Sequence, residues 1–221
     1  MKDYQLRRSN RKTIALVVNN EAELVVKAPL STSVVFIEEL IEKKNNWISD
    51  KQSIVKERNK LYLKRSFQKG ESFMYLGNNH QLQFSDDVKE IIKDNRMILI
   101  PSNISDVKGE MIKWYKNQAY IIITERLKYI ENITGLTAKS IRISDAKKRW
   151  GSCGISGSLN FSWYLVMCPV RVIDYVIAHE ISHVEYRDHS KDFWIRVKTI
   201  IPDYEVQKKW LDDNQRLMDI I

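Results

Sequence analysis

The stretch from residue 179 to residue 189 reads His-Glu-Ile-Ser-His-Val-Glu-Tyr-Arg-Asp-His. His179 and His183 are four positions apart, so on a helix their imidazoles lie on one face and point toward one spot. Glu180 stands beside the first histidine, where its carboxylate can reach a zinc-bound water. This is the HExxH arrangement, in which the histidines bind zinc and the glutamate is the general base. The stretch therefore predicts a metal-binding helix, around which the rest of the chain is organised.

A third histidine lies close enough in sequence to complete the site. A catalytic zinc takes three protein ligands and one water. His189 follows His183 after five intervening residues, so the chain must bend between them, and Asp188 or Ser190 can cap a following helix. The alternative is an exposed amphipathic helix with surface histidines. The clustering favours a metal site, because three of the four histidines lie here; the fourth, His80, is predicted to be a surface residue in a turn.

The composition indicates a folded protein with a basic surface. The 221 residues carry a net charge of +8, and the chain is long enough for one large domain or two small ones. Basic clusters at residues 7–12 and 147–149 suggest an alternative function, a nucleic-acid-associated protein in which hydrolysis is secondary or absent. Solvated basic loops would account for the same residues. The sequence leaves the oligomeric state open.

No stretch indicates secretion or a membrane span. The first apolar run, Ile14–Val18, is too short for a signal peptide. The apolar run over residues 161–169 falls well short of the ~20 residues that a membrane helix needs. Cys153 and Cys168 do not form a disulfide framework, so reduced thiols in a cytoplasmic protein are expected.

The amino-terminal part is predicted to contain two β-hairpins and one long helix. Residues 12–18 and 22–27 are rich in branched aliphatic side chains and flank Asn19-Asn20-Glu21, a turn signal. An amphipathic helix is expected from about residue 32 to residue 60. A second hairpin is expected over residues 73–84.

The carboxy-terminal part is predicted to contain a small sheet followed by the metal helix. Residues 140–144 read as a strand, and three glycines between residues 151 and 157 indicate a tight loop. A strand over residues 158–164 is predicted to be an edge strand that pairs with an extended peptide substrate; a central strand is the alternative. A proline then begins the helix over residues 170–186.

An ordered series of short motifs runs through the chain. It comprises Arg8-Ser9-Asn10-Arg11-Lys12, Trp47-Ile48, Arg149-Trp150-Gly151-Ser152-Cys153, Leu159-Asn160, Pro169, Ile173-Asp174-Tyr175-Val176, the HExxH residues 179–183, His189-Ser190 and Phe193-Trp194. The series resembles the YgjP-like metallopeptidases, predicted metal-dependent hydrolases that are similar to the WLM and SprT-like groups. It spans nearly the whole chain and is far more specific than HExxH alone.

The predicted elements and the resemblance together imply an α+β fold with two regions. Residues 1–100 form a β-rich region with hairpins and one long helix. Residues 101–221 form a zincin-like catalytic domain with a small sheet and the HExxH helix. These boundaries are expectations about domains.

The resemblance also implies a zinc-dependent peptidase that acts on a peptide or protein substrate. His179, His183 and His189 would be the zinc ligands, and Glu180 would be the catalytic base. The third histidine has the metzincin spacing, but Tyr186 stands where metzincins have a glycine, which argues against a metzincin.

Three further residues are candidate substrate-binding groups. Arg149 or Tyr186 would stabilise the oxyanion, and Asn160 would orient the substrate. A purely structural role is the alternative for each of them. Cys153 is expected to be a small buried residue, because three histidines already fill the metal site.

Overall fold

A computed structural model describes residues 3–19, 21–61 and 65–219. The chain forms two compact units, residues 1–63 and 64–221. The predicted boundary between domains, at residue 100, falls inside the second unit. Whether residues 1–100 and 101–221 fold independently stays a prediction. Asn20, in the predicted first turn, lies outside the described residues. Within the described ranges, no helix is both long and apolar enough to cross a membrane.

The first unit contains a three-stranded sheet and two helices. Its elements are β1 (Tyr4–Ser9), β2 (Ala15–Val18), β3 (Leu24–Pro29), α1 (Val34–Lys43) and α2 (Asn45–Leu61). The strand order is β1-β3-β2, with β1 parallel to β3. Strands β2 and β3 are antiparallel, which confirms the predicted hairpin. Inward side chains of β3 pack against Ile37, Ile41 and Ile48 of the helices to form this unit's core.

The prediction of a single long helix in this unit is wrong in one detail, because the helix is interrupted at Lys44. The Lys44 N–H donates to the carbonyls of Leu40 and Ile41, which ends α1, and the Lys44 carbonyl accepts from Ile48, which begins α2. The cap of α1 is Ser33, whose hydroxyl accepts from the backbone of Phe36 at 3.2 Å. Sequence periodicity continues across such a break and does not mark it.

Arg8, in the amino-terminal basic cluster, binds backbone carbonyls of a neighbouring segment. Arg8 Nη1 donates to the carbonyls of Pro29, Leu30 and Thr32 at 3.0, 3.0 and 2.8 Å. A guanidinium offers several donors in a fixed plane, so it can hold several carbonyls of a turning segment at once. Arg8 therefore fixes the chain between β3 and α1.

The second unit contains two sheets and four α-helices. Its strands are β4 (Ser72–Tyr75), β5 (Asn78–Ser85), β6 (Ile92–Asp94), β7 (Met97–Pro101), β8 (Ser140–Ser144), β9 (Gly151–Cys153) and β10 (Ser158–Ser162). Its helices are α3 (Val107–Thr134), α4 (Val170–Ser182), α5 (Lys191–Ile200) and α6 (Tyr204–Asp213), with 3₁₀ turns at Trp163–Met167 and Gln215–Asp219. The strand orders are β4-β5-β7-β6 and β8-β10-β9. The fold is thus mixed α+β, as predicted, and the second predicted hairpin is β4–β5.

His80 is buried, so its prediction as a surface residue is wrong. It lies in β5 with 5% of its surface exposed and is paired with Phe73 of β4. Its ring stands edge-on to that of Tyr75. The turn comes earlier than the Asn-Asn pair suggests, at Leu76 and Gly77, both of which have positive φ. The strand therefore already includes His80.

Strand β10 is paired on both sides, so the predicted edge strand at residues 158–164 is wrong. It runs parallel to β8 and antiparallel to β9. The edge strand on that side of the sheet is β9. The peptide-pairing hypothesis therefore does not hold for β10, whose backbone groups already take part in two ladders.

Helix α4 is held in place at its start and along its length. In the turn between β4 and β5, the N–H groups of Leu76 and Gly77 donate to the carbonyls of Val166 and Met167, at 2.9 and 3.0 Å. These carbonyls lie just before the helix begins. Farther along, the guanidinium of Arg126 on α3 donates twice to the carboxylate of buried Asp174, at 2.6 and 2.8 Å. A two-point pair of this kind fixes orientation as well as distance. The helix that carries the HExxH residues is therefore anchored to two neighbouring elements.

Candidate metal centre

The three histidines of the HExxH stretch come together in space. The Nε2 atoms of His179 and His189 are 3.1 Å apart. With His183, the three residues offer ligand atoms that all lie within 4.8 Å of one another. Two nitrogen ligands at about 2.0–2.1 Å from one tetrahedral ion lie about 3.4 Å apart, close to the spacing of the first pair. The donor set fits an ion that prefers imidazole, such as zinc, copper, iron or nickel.

Local structure explains how the third histidine reaches the other two. Helix α4 ends with His183 as its C-cap, shorter than predicted, and the chain turns before α5. The Nδ1 of His183 lies 2.9 Å from the Tyr186 carbonyl, which leaves its Nε2 free for the centre. The Ser190 hydroxyl caps α5. The sequence predicted either Asp188 or Ser190 in this role. The predicted bend between His183 and His189 is therefore present.

Aromatic rings of α5 surround the imidazoles. The Phe193 ring is fully buried and stacks on His183 at a centroid distance of 4.5 Å. Trp194 lies 5.8 Å from His189 and 5.7 Å from His179. Such rings fix the orientation of the imidazoles and limit access of water to one side of the cluster.

Electrostatics favours the neutral form of His179 and His189. Burial, then the charges of His183, His189 and Lys208, lower the pKa of His179 to about 3. Burial and His183 also lower the pKa of His189. A neutral imidazole is the form that binds a metal. In addition, His179 Nδ1 is buried and has no hydrogen-bond partner among the described residues.

Glu180 is buried against the start of β9. It has 7% of its surface exposed. Burial raises its pKa to about 7, and the charge of Arg149 opposes that rise. A Cβ atom built on Gly151 would lie 2.6 Å from Glu180 Cγ and 2.8 Å from Oε1. Residue 151 therefore has to be glycine for Glu180 to occupy this position.

His179 and Glu180 line a pocket of about 270 Å³. One wall is Arg149, Trp150 and Gly151 at the start of β9, and α4 supplies the floor. Helix α6 also contributes to the lining, through residues that include Lys208 and Asp212. This pocket therefore shares His179 with the candidate metal centre.

The three predicted substrate-binding residues occupy different places. Arg149 is exposed and lines the pocket beside Glu180. Asn160 lies in the middle of β10, and its Oδ1 is buried without a partner among the described residues. Tyr186 contributes its backbone carbonyl to His183, while its side chain lies outside the pocket and neighbours Glu185. Cys153 is half-buried and is not part of the histidine cluster.

The contacts of two residues of the site could not be predicted from the sequence. Gly151 was one of three loop glycines and part of the motif over residues 149–153, but its contact with Glu180 depends on how β9 packs against α4. Lys208 is one of several lysines on an amphipathic helix, a pattern that ordinarily indicates a solvated face. Tertiary packing alone identifies both.

The chain was compared with protein families, curated proteins and solved structures. A family model described as the YgjP-like metallopeptidase domain matches residues 12–214. The structure is similar to the metallopeptidase zymogen of Pyrococcus abyssi abylysin, with 20% identity, a TM-score of 0.39, and coverage of 42% of this chain and 96% of that one. It is also similar to the zymogen of Methanocaldococcus jannaschii jannalysin, with 22% identity, a TM-score of 0.35, and coverage of 45% and 96%. None of the curated proteins matches the chain.

Proposed function

The chain belongs to the YgjP-like metallopeptidase family, so it is a metal-dependent peptidase, and we propose that its metal is zinc and its general base is Glu180. His179, His183 and His189 would hold the ion. The observation that carries this proposal is the convergence of three imidazoles within 4.8 Å beside a buried glutamate. Its substrate is a peptide or protein.

The residues of the chain have separate roles in hydrolysis. A zinc ion held by the three histidines would supply a water of lowered pKa and would polarise the scissile carbonyl. Glu180 accepts the proton of the attacking water and passes it to the leaving amine. Its burial suits both tasks, since a carboxyl with a pKa of about 7 can take and give a proton near neutral pH. Of the two oxyanion candidates, Arg149 lines the pocket and Tyr186 lies outside it.

The first test concerns the ion. Purified protein is expected to contain about one zinc per chain, and His179→Ala, His183→Ala and His189→Ala should each weaken zinc binding by more than ~100-fold, since even changes behind the ligands cost about 10–100-fold. Metal content would be measured by mass spectrometry after dialysis against a weak chelator. His80→Gln is the control, because His80 lies outside the cluster. Full zinc occupancy in the His179→Ala/His183→Ala double variant would refute the site.

We place the extended substrate along β9, since β10 is fully paired. The Gly154 N–H donates to Ser158, and Ser162 donates to the Trp150 carbonyl. Hydrogen-bonded pairs alternate along an antiparallel ladder, so Gly151 and Cys153 direct their N–H and C=O groups away from β10. These outward-facing groups lie on the strand that contacts Glu180, where a peptide could add as a further strand.

The second test removes one of those groups. Cys153→Pro lacks the outward N–H but breaks no bond to β10, and edge strands tolerate proline at such positions. We expect KM to rise about 5-fold, the loss of roughly one net hydrogen bond. Steady-state kinetics on a peptide from a library digest would measure it. Cys153→Ala is the control, because it removes the thiol and keeps the N–H. Equal KM values for Cys153→Pro and Cys153→Ala would show that β9 does not bind the substrate.

The nucleic-acid alternative stays a prediction. Salt-dependent DNA binding by the purified protein would test it, because phosphate contacts release counterions.

A further inference from the structure

Two cations face the pocket beside Glu180 without a carboxylate partner. Arg149 and Lys208 line it from different elements, the start of β9 and helix α6. Within the described part of the chain, neither makes an ion pair or a hydrogen bond. Surface cations without partners are ordinary, but here both adjoin the candidate metal centre.

Lys208 is held in a defined position by an aromatic contact. Its Nζ lies 5.0 Å from the centroid of the Trp194 ring. Trp194 in turn lies 5.7 Å from His179 and 5.8 Å from His189. A cation over an indole face is attracted by the ring and loses some of its freedom. The ammonium is therefore held beside Trp194, a ring that also neighbours two of the three histidines.

Within the described residues the acidic residues of the pocket form no ion pair with these cations, although the charge of Arg149 acts on Glu180 at longer range. Glu180 is buried, and in the proposed function it transfers protons during hydrolysis. Asp212 is the remaining acid of the lining, one helical turn after Lys208, and it lies beyond ion-pair distance of Lys208 and Arg149. The lining thus holds two cations, Arg149 and Lys208, neither of which forms an ion pair within the described residues.

We propose that Lys208 and Arg149 bind a carboxylate group of the peptide substrate. A carboxylate next to the scissile bond would accept from the ammonium on one side and from the guanidinium on the other, and charge-assisted bonds of this type are strong and directional. The pocket of about 270 Å³ is below the ~300–1,000 Å³ of typical small-molecule sites, which suits a single residue. The carboxylate is either the carboxy terminus of a short peptide or an acidic side chain. The proposal rests on the peptidase function, because it names the substrate class of the same site.

The test measures binding and needs no turnover. Three probes would be titrated into zinc-loaded protein and followed by NMR, in which any hydrolysis appears as released amino acid: N-acetyl-glycyl-glycine, its carboxamide, and N-acetyl-glycyl-glutamic acid α-amide. A charge-assisted contact contributes about 1.5–3 kcal/mol, so a free carboxylate should bind about 10-fold or more tightly than the carboxamide. The first and third probes distinguish a terminal from a side-chain carboxylate.

Variants assign the effect to the two cations. Lys208→Met and Arg149→Met should each remove most of the preference for the carboxylate, and Lys208→Arg should retain it. Lys209→Met is the matched control, an exposed lysine of the same helix outside the pocket. Equal affinity for acid and carboxamide in the unsubstituted protein would overturn the proposal. A preference that survives both methionine variants would also overturn it, because the carboxylate would then be bound by the metal. Failure of the peptidase function would appear separately, as absent zinc or absent cleavage.

Discussion

Glu180→Gln is expected to keep its zinc and to lower kcat/KM by about 10²–10⁴-fold, the usual contribution of a positioned general base. Glutamine has the shape of glutamate but cannot accept a proton at neutral pH. Because the three imidazoles are unchanged, the metal content should equal that of the unsubstituted protein. The measurement is zinc by mass spectrometry together with steady-state cleavage of a library-derived peptide.

Glu185→Gln is the matched control for this substitution. Glu185 lies in the same stretch, is exposed, and pairs with Arg196 at 3.1 Å. A surface pair of this kind contributes little to stability, so activity should stay within about 2-fold of the unsubstituted protein. Unchanged turnover in Glu180→Gln would remove Glu180 from the mechanism. Loss of zinc in that variant would instead assign it a role in holding the metal.

The parts of the site that follow from local spacing were accessible from the sequence. Four residues are close to one helical turn, so His179 and His183 had to share a face wherever the helix lay. The bend before His189 was equally local, because five intervening residues do not fit the same turn, and Ser190 supplied the cap of the next helix. Such features depend on residues that are neighbours in the chain.

The features that were predicted wrongly depend on partners far along the chain. Whether β10 is central or an edge is decided by β8 and β9, and no property of residues 158–162 reports their presence. His80 followed two asparagines that favour turns, yet the glycine before them, Gly77, took the left-handed conformation and placed His80 in a buried strand. Pairing of this kind is a tertiary outcome that overrides local preference.

Gly151→Ala is the second substitution with a large expected effect. The new Cβ would lie 2.6 Å from Glu180 Cγ, 2.8 Å from Oε1 and 3.0 Å from Cδ, so the carboxylate must move. The reacting groups tolerate little displacement, and a shift of about 1 Å can cost about 10²-fold in rate. We expect kcat/KM to fall by about that factor with zinc retained, and the free energy of unfolding to fall by about 1–3 kcal/mol through overpacking.

Gly154→Ala provides the matched comparison on the same loop. Its Cβ would meet only the Ser158 carbonyl at 3.5 Å and the Ser158 Cβ at 3.9 Å, which are ordinary contacts. Stability should therefore change by less than about 0.5 kcal/mol. A double-mutant cycle makes the cause specific, because Glu180→Ala removes the atoms that the new Cβ of Gly151→Ala meets. If the contact is responsible, Gly151→Ala should cost little stability in the Glu180→Ala background. An equal cost in both backgrounds, measured by chemical denaturation, would mean that Gly151 is required by the backbone of β9 and not by the position of Glu180.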